Sequence, residues 1–342
     1  MKTDLLLTVI LSVILSTLGI IILVFSLNVY WYYSKYINKT ITGDLTAIES
    51  VYKLRRDAWT SPNPSTRYVV SFTSIPERFN KIGPTLASLL DARVPFFDEI
   101  VINIPVGGYT ALSGKYFPEF ETIKYIEENL SVVKIRRIET DYGPASKLIP
   151  TVIAETEDGR LDTRIIVVDD DQIYFPDSLT TLVNEFDRRS GEVAITNFSQ
   201  SYGCWLNLRN FHMELAHGKI SNKLVLLKTH TNLVFGSGGY CVTPSMFDER
   251  LYDYSDAPFR IAYVNDDYWI SAWLAIANIK VMTTTESMGV CDLRPGSLVV
   301  TNSRVYLNSA IHRNKLNSPV SMKVLINWFR LTYPEELKCF LA

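Results

Sequence analysis

The stretch Thr163-Arg164-Ile165-Ile166-Val167-Val168-Asp169-Asp170-Asp171 decides how the rest of the chain is read. Four β-branched apolar residues between polar flanks predict a short strand buried on both faces, as in the middle of a parallel sheet. Three carboxylates arrive where that strand ends, and open α/β sheets bind ligands outside the carboxyl ends of their strands. By strand alternation Asp169 and Asp171 point one way and Asp170 the other. Like charges this close repel unless donors or a cation compensate them, and hard oxygen ligands suit Mg²⁺ or Mn²⁺. An acidic strand-to-loop turn open to water is the plainer alternative.

Upstream, the pattern alternates. Residues 68–73 predict a strand, 74–78 a turn, and 79–90 a helix in which Pro84 marks either a kink or the true start. Strands follow at 99–104 and 132–138, and helices at 118–129 and from Lys147 to about Glu155. Such alternation implies right-handed crossovers and a doubly wound, mainly parallel sheet. Downstream, 176–188 predicts a helix, and 224–227 and 232–235 are strand candidates leading into Gly236-Ser237-Gly238-Gly239. Glycine has nothing to pack, so this run implies either close approach of a ligand or a hairpin turn. Asp266 and Asp267 open an apolar helix in which Tyr268, Trp269 and Trp273 belong to the core or line a sugar-sized pocket. Residues 279–282 predict a late strand and 320–331 a closing helix.

The chain has 342 residues, with 34 basic and 36 acidic side chains, so no polyelectrolyte signal points to nucleic acid. Residues 5–33 carry no charge and are long enough to cross a ~30 Å hydrocarbon core. They end in Tyr30-Trp31-Tyr32-Tyr33 ahead of Lys35 and Lys39, the composition of an interfacial belt, and no small-x-small cleavage site follows. We therefore expect an uncleaved transmembrane anchor over 1–34. Residues 35–66 lack a core pattern and read as a stem, and the catalytic domain is expected over 67–342. Asn38, Asn129 and Asn197 head N-glycosylation triplets. Four scattered cysteines indicate neither a zinc site nor a disulfide framework.

The residues 73–78, Asp141-Tyr142-Gly143-Pro144-Ala145-Ser146-Lys147, the triple acid, the glycine run and Asp266-Asp267 stand in an order that resembles nucleotide-sugar glycosyltransferases of the GT-A fold. The likeness is to membrane-anchored, viral and algal members that carry GPxxK before a triple-Asp (DXD) motif. It implies that Thr73, Ser74 and Arg78 hold the nucleoside, with Asp141 and Lys147 flanking base, ribose and phosphates. It further implies Asp169 and Asp170 at the nucleotide, and Asp169, Asp171 and His312 around Mn²⁺ or Mg²⁺. The run Gly236 to Gly239, with Gly238 and Gly239 at the cofactor, would shape the donor-sugar and acceptor pocket, and Asp267 would be the general base of an inverting reaction, with Asp266 the contender. The partners implied are a nucleotide-sugar donor, taken as a UDP-sugar, a glycan or glycoconjugate acceptor, and the membrane. Golgi-type relatives place such a domain in the lumen, whereas Lys35 and Lys39 favour the cytosolic side. The rival readings are a sugar nucleotidyltransferase, which would want a glycine-rich loop that 72–78 lacks, and a membrane-tethered carbohydrate-binding module.

Overall fold

The computed structural model describes residues 2–37, 45–58, 65–80, 82–91, 97–106, 120–172, 174, 178–197, 233–284 and 319–336. At its centre is a seven-stranded sheet in the order β3-β2-β1-β4-β6-β5-β7. The strands are β1 (Tyr68–Thr73), β2 (Glu99–Pro105), β3 (Val133–Ile138), β4 (Arg164–Val167), β5 (Val193–Thr196), β6 (Tyr240–Val242) and β7 (Lys280–Thr283). Strands β1 to β4 are mutually parallel, β5 runs parallel to β7, and β6 alone is antiparallel to its neighbours β4 and β5. The fold is therefore α/β with a mainly parallel sheet.

β4 is as buried as its sequence requires. Ile165, Ile166, Val167 and Val168 are all inaccessible to solvent, flanked by β1 on one side and β6 on the other. Because its ladder with β1 closes at the bond from Val168 N–H to the Ser71 carbonyl, the three acids begin where pairing stops.

The helices are α1 (Lys2–Ile37), α2 (Leu45–Ala58), α3 (Pro76–Phe79), α4 (Gly83–Leu90), α5 (Glu121–Asn129), α6 (Ile149–Glu157), α7 (Ser178–Arg188), α8 (Phe259–Val264), α9 (Asp266–Ile276) and α10 (Pro319–Thr332). Within α1, Thr8–Leu27 is long and apolar enough to cross a membrane by length and composition. Pro84 stands in the first turn of α4, where its missing N–H costs nothing, so it marks a helix start rather than a kink.

The segment expected to be a bare stem contains α2, which packs on the domain. Leu45, Ile48 and Tyr52 recur on one face and are buried, Tyr52 stacks on Phe97 at 5.1 Å, and buried Glu49 accepts the Val132 N–H. Only three apolar positions in two turns carry that face, too few to stand out among the polar residues between them. A cut near residue 60 would remove part of the core.

Strands β5 and β6 were not expected, and 233–235 is extended chain rather than strand. The candidate at 224–227 lies outside the described residues. The aromatic reading of α9 resolves as core. Trp269 is wholly buried, stacks on Tyr254 at 4.5 Å and against Trp328 at 6.0 Å, and donates its indole N–H to the Leu251 carbonyl; Tyr268 and Trp273 are buried as well. None of the three is left to line a sugar pocket. Asn197 is buried with its amide donating to the Gly238 carbonyl, which removes that triplet as a glycosylation site.

Candidate active site

The site forms where β1 and β4 end and the glycine turn and the start of α9 meet them. Lys147 closes a 3-10 turn over Gly143–Lys147 that opens with Gly143 at φ +61°, a conformation that favours glycine. A Cβ there would also meet the Tyr263 carbonyl at 2.7 Å. Asp141 caps this turn by accepting from Gly143 N–H, and its other oxygen accepts from the Tyr263 hydroxyl, tying the turn to α8. Beneath it, Ser71 Oγ donates to the Lys147 carbonyl at 2.7 Å, within a buried network that includes Thr151 and Asn103.

So positioned, the Lys147 ammonium lies 2.7 Å from Asp169 Oδ1 and 2.9 Å from Asp266 Oδ2. Burial works against its charge, but Asp169, then Asp266 and Asp267, outweigh it and hold Lys147 well above the ordinary lysine range. Gly236 is the glycine that the site demands. A Cβ on it would fall 2.4 Å from Asp169 Oδ1 and 2.5 Å from Lys147 Nζ. Gly238 and Gly239 instead spend their carbonyls on Asn197 and Thr196 of the neighbouring strand, so they shape the turn. Tyr174 bridges the two loops, accepting from Asp169 N–H at 2.8 Å and donating to the Gly236 carbonyl at 3.2 Å.

The other two acids of the triplet go elsewhere. Asp170 is turned inward, as alternation predicts, where Ser74 Oγ donates to it at 2.5 Å and Arg78 pairs with it at 2.8 Å. Arg78 also reaches Asp171 at 3.0 Å, and Gln172 donates to the other Asp171 oxygen. Burial raises Asp170 to about 6, with Arg78 opposing and Asp171 adding to the rise. Asp171 is raised by burial and then by Asp169, with Arg78 and the Gln172 hydrogen bond opposing. Thr73 turns its hydroxyl to the Asn103 carbonyl of β2.

The two acids of α9 divide in the same way. Asp266 is buried against Lys147. Asp267 is partly exposed and accepts a long bond, 3.4 Å, from Gly236 N–H. Burial, then Asp266 and Asp169, push its carboxyl well above the usual range, while Lys147 and the Gly236 N–H pull it back. Ser271 staples this helix start to the glycine segment, donating to the Asp267 carbonyl and accepting from Val234 N–H.

Among the described residues, five carboxyl groups thus face two cations, and the raised proton affinity of Asp170, Asp171 and Asp267 reflects that imbalance. Such oxygen donors suit a hard divalent cation, with bound phosphate or water completing the shell; Asp169 lies at Lys147 and Asp171 at Arg78. Among the described residues no group of three or more His, Cys, Asp or Glu side chains forms a ready metal cage. His312, like His212, His217 and His230, lies outside the described residues. The sequence singled out none of Ser71, Tyr174, Tyr240 or Tyr263, because a lone hydroxyl beside a motif has no spacing signature.

No protein-family model matches the chain, and no curated protein matches it. Among solved structures it is similar to the mannosyltransferase PcManGT from Pyrobaculum calidifontis, in complex with GDP-Man and Mn²⁺. Identity is 13%, the TM-score is 0.38, and the likeness covers 72% of this chain and 67% of that one. A likeness at that level carries no argument about substrate or mechanism here.

Proposed function

We propose that this chain is a membrane-anchored, metal-dependent glycosyltransferase that moves a sugar from a nucleotide-sugar donor, a UDP-sugar by preference, to a glycan or glycoconjugate acceptor with inversion. The observation that carries this reading is Asp267. It is a partly exposed carboxyl of raised proton affinity that accepts from Gly236 N–H, one residue from the acid that pairs Lys147, at the rim of a cluster with more carboxyl groups than cations among the described residues. In this reading residues 1–34 anchor the chain, 35–66 connect it and contribute α2, and 67–342 form the catalytic domain, placed in the lumen.

Mn²⁺ or Mg²⁺, held by Asp169 and Asp171 with His312 as a third candidate, would supply Lewis-acid stabilisation of the leaving diphosphate. The chain's own residues do the rest. Arg78 holds Asp170 and Asp171 in place and Lys147 holds Asp169, so the acid edge keeps one geometry against its own repulsion. Asp267 takes the proton of the acceptor hydroxyl, for which it needs an approach of ~2.6–3.2 Å. Its raised proton affinity suits a base, whereas Asp266, committed to Lys147, is a positioning residue. Ser74 acts on Asp170 rather than on the nucleoside directly, and Asp141 acts by shaping the turn that delivers Lys147.

The reading is tested by screening UDP- and GDP-sugars for nucleoside diphosphate release with Mn²⁺ present. Release that is lost on chelation and in Asp171→Asn supports it. Absence of release with every donor, or release indifferent to both changes, contradicts it.

A further inference from the structure

Among the described residues, one tyrosine hydroxyl of the cluster has no hydrogen-bond partner. Tyr240 opens β6 directly after the glycine turn, is completely buried, and its hydroxyl neither donates nor accepts. Three other buried tyrosines have partners: Tyr52 donates to the Phe97 carbonyl, Tyr68 to Asp187 and Tyr174 to the Gly236 carbonyl. The Asp266 carboxylate depends on one partner there: its Oδ2 makes a 2.9 Å ion-pair contact with Lys147 Nζ and accepts no hydrogen bond among the described residues.

Sheet register puts Tyr240 on the Lys147 side of the sheet. Tyr240 stands opposite Val167, and Val167 pairs with Ser71, so all three project from one face of the sheet. Ser71 uses that face to hold the Lys147 carbonyl, which puts the phenol on the same side as Lys147. The charges that act on the Tyr240 hydroxyl are those of Lys147, Asp266, Asp267 and Asp169.

A buried donor without a partner is a costly arrangement unless another state of the protein gives it one. Lys147 is the group that such a state would move. Its ammonium is shared between two carboxylates, and a diphosphate arriving at the Asp169 side competes for it. If Lys147 shifts toward the diphosphate, Asp266 is left as a buried carboxylate without compensation, one residue from the proposed base.

We propose that Tyr240 is a positioning residue whose hydroxyl donates to Asp266 when a nucleoside diphosphate draws Lys147 away, keeping the start of α9 and Asp267 in place. This rests on the glycosyltransferase reading. It requires no bond-making and no change of protonation: one hydrogen bond replaces one ion-pair contact.

Tyr240→Phe in the full chain tests it, with UDP and GDP plus Mn²⁺ as the probes. The variant is expected to match the wild type in ligand-free melting temperature or exceed it, because no bond is lost in that state. It should bind the preferred diphosphate roughly tenfold more weakly, as for loss of a hydrogen bond to a charged group, and show a smaller ligand-induced thermal shift. In Asp266→Asn, adding Tyr240→Phe should weaken binding by well under tenfold, because the two changes act on one contact. Equal diphosphate affinity in Tyr240→Phe and wild type overturns the proposal and leaves the glycosyltransferase reading intact. A ligand-free Tyr240→Phe protein that melts several degrees lower, or does not fold, also overturns it, since the hydroxyl would then be bonded already. If the wild type binds neither diphosphate, the glycosyltransferase reading fails and this proposal fails with it.

Discussion

The two ends of β4 each carry a buried ionic cluster, and they are built to opposite rules. At its start, wholly buried Glu155 accepts from Arg160, Thr163 and Arg67, while Arg67 also pairs Glu99. Burial alone would raise Glu155, but those donors outweigh it and its carboxyl lies below the ordinary range. At the far end of the same strand, burial prevails over the available cations, and Asp170, Asp171 and Asp267 all lie above theirs. One cluster is satisfied within the chain. Among the described residues the other has more carboxyl groups than cations to pair them, which is the mark of a site rather than of a scaffold.

That contrast can be broken by experiment. The largest effect on stability should come from Glu155→Ala, which strips the acceptor from two partly exposed guanidinium groups and from the Thr163 hydroxyl; we expect a loss of roughly 2–3 kcal/mol in urea unfolding at pH 7.5. Asp170→Asn, at the other end, should cost far less or stabilise. Comparable losses from both would erase the distinction between the ends. Next comes Gly236→Ala, whose Cβ would be driven against the Lys147–Asp169 pair. We expect ~1–3 kcal/mol of destabilisation and weaker diphosphate binding, whereas unchanged stability would mean that the glycine turn yields freely.

The smallest effect is in pH. Asp170, at about 6, keeps a proton in the folded chain that the unfolded chain, near ~3.9, has already released. Its contribution is therefore most favourable below the unfolded value and declines as pH rises through about 6. Glu155 has the opposite sign: its contribution is present above ~4.3 and is lost as pH falls. Between pH 5 and 7.5 the metal-free protein should lose on the order of 1–2 kcal/mol that Asp170→Asn does not lose. A wild type flat over that interval, or a variant that follows it, would contradict the assignment to Asp170.

The parallel half of the fold was legible because β1, β2 and β4 are largely apolar runs, interrupted at Ser71 and Asn103, with helices between them marked by Pro84 and by early acids. β5 and β6 were not. At four and three residues they are too short to show alternation, and β6 is set by its pairing with β4 rather than by propensity. In the site, the acids were legible as repeated charge at the end of a buried strand. Their division of labour was not, because Asp266 and Asp267 differ only in which of them meets Lys147, and the sequence does not place Lys147 beside α9. Gly236 was visible as one of a run but not as the member that the ion pair requires.

The central claim is that the unsatisfied end of β4 carries out glycosyl transfer with Asp267 as the base. Its most direct test is the rate of sugar transfer by wild type and Asp267→Asn, measured beside the affinity of each for the nucleoside diphosphate with Mn²⁺. The account predicts transfer slower by ~10²–10⁴-fold with affinity nearly unchanged. Asp267→Asn turning over at the wild-type rate, or Asp266→Asn proving the inactive variant while Asp267→Asn works, would contradict it.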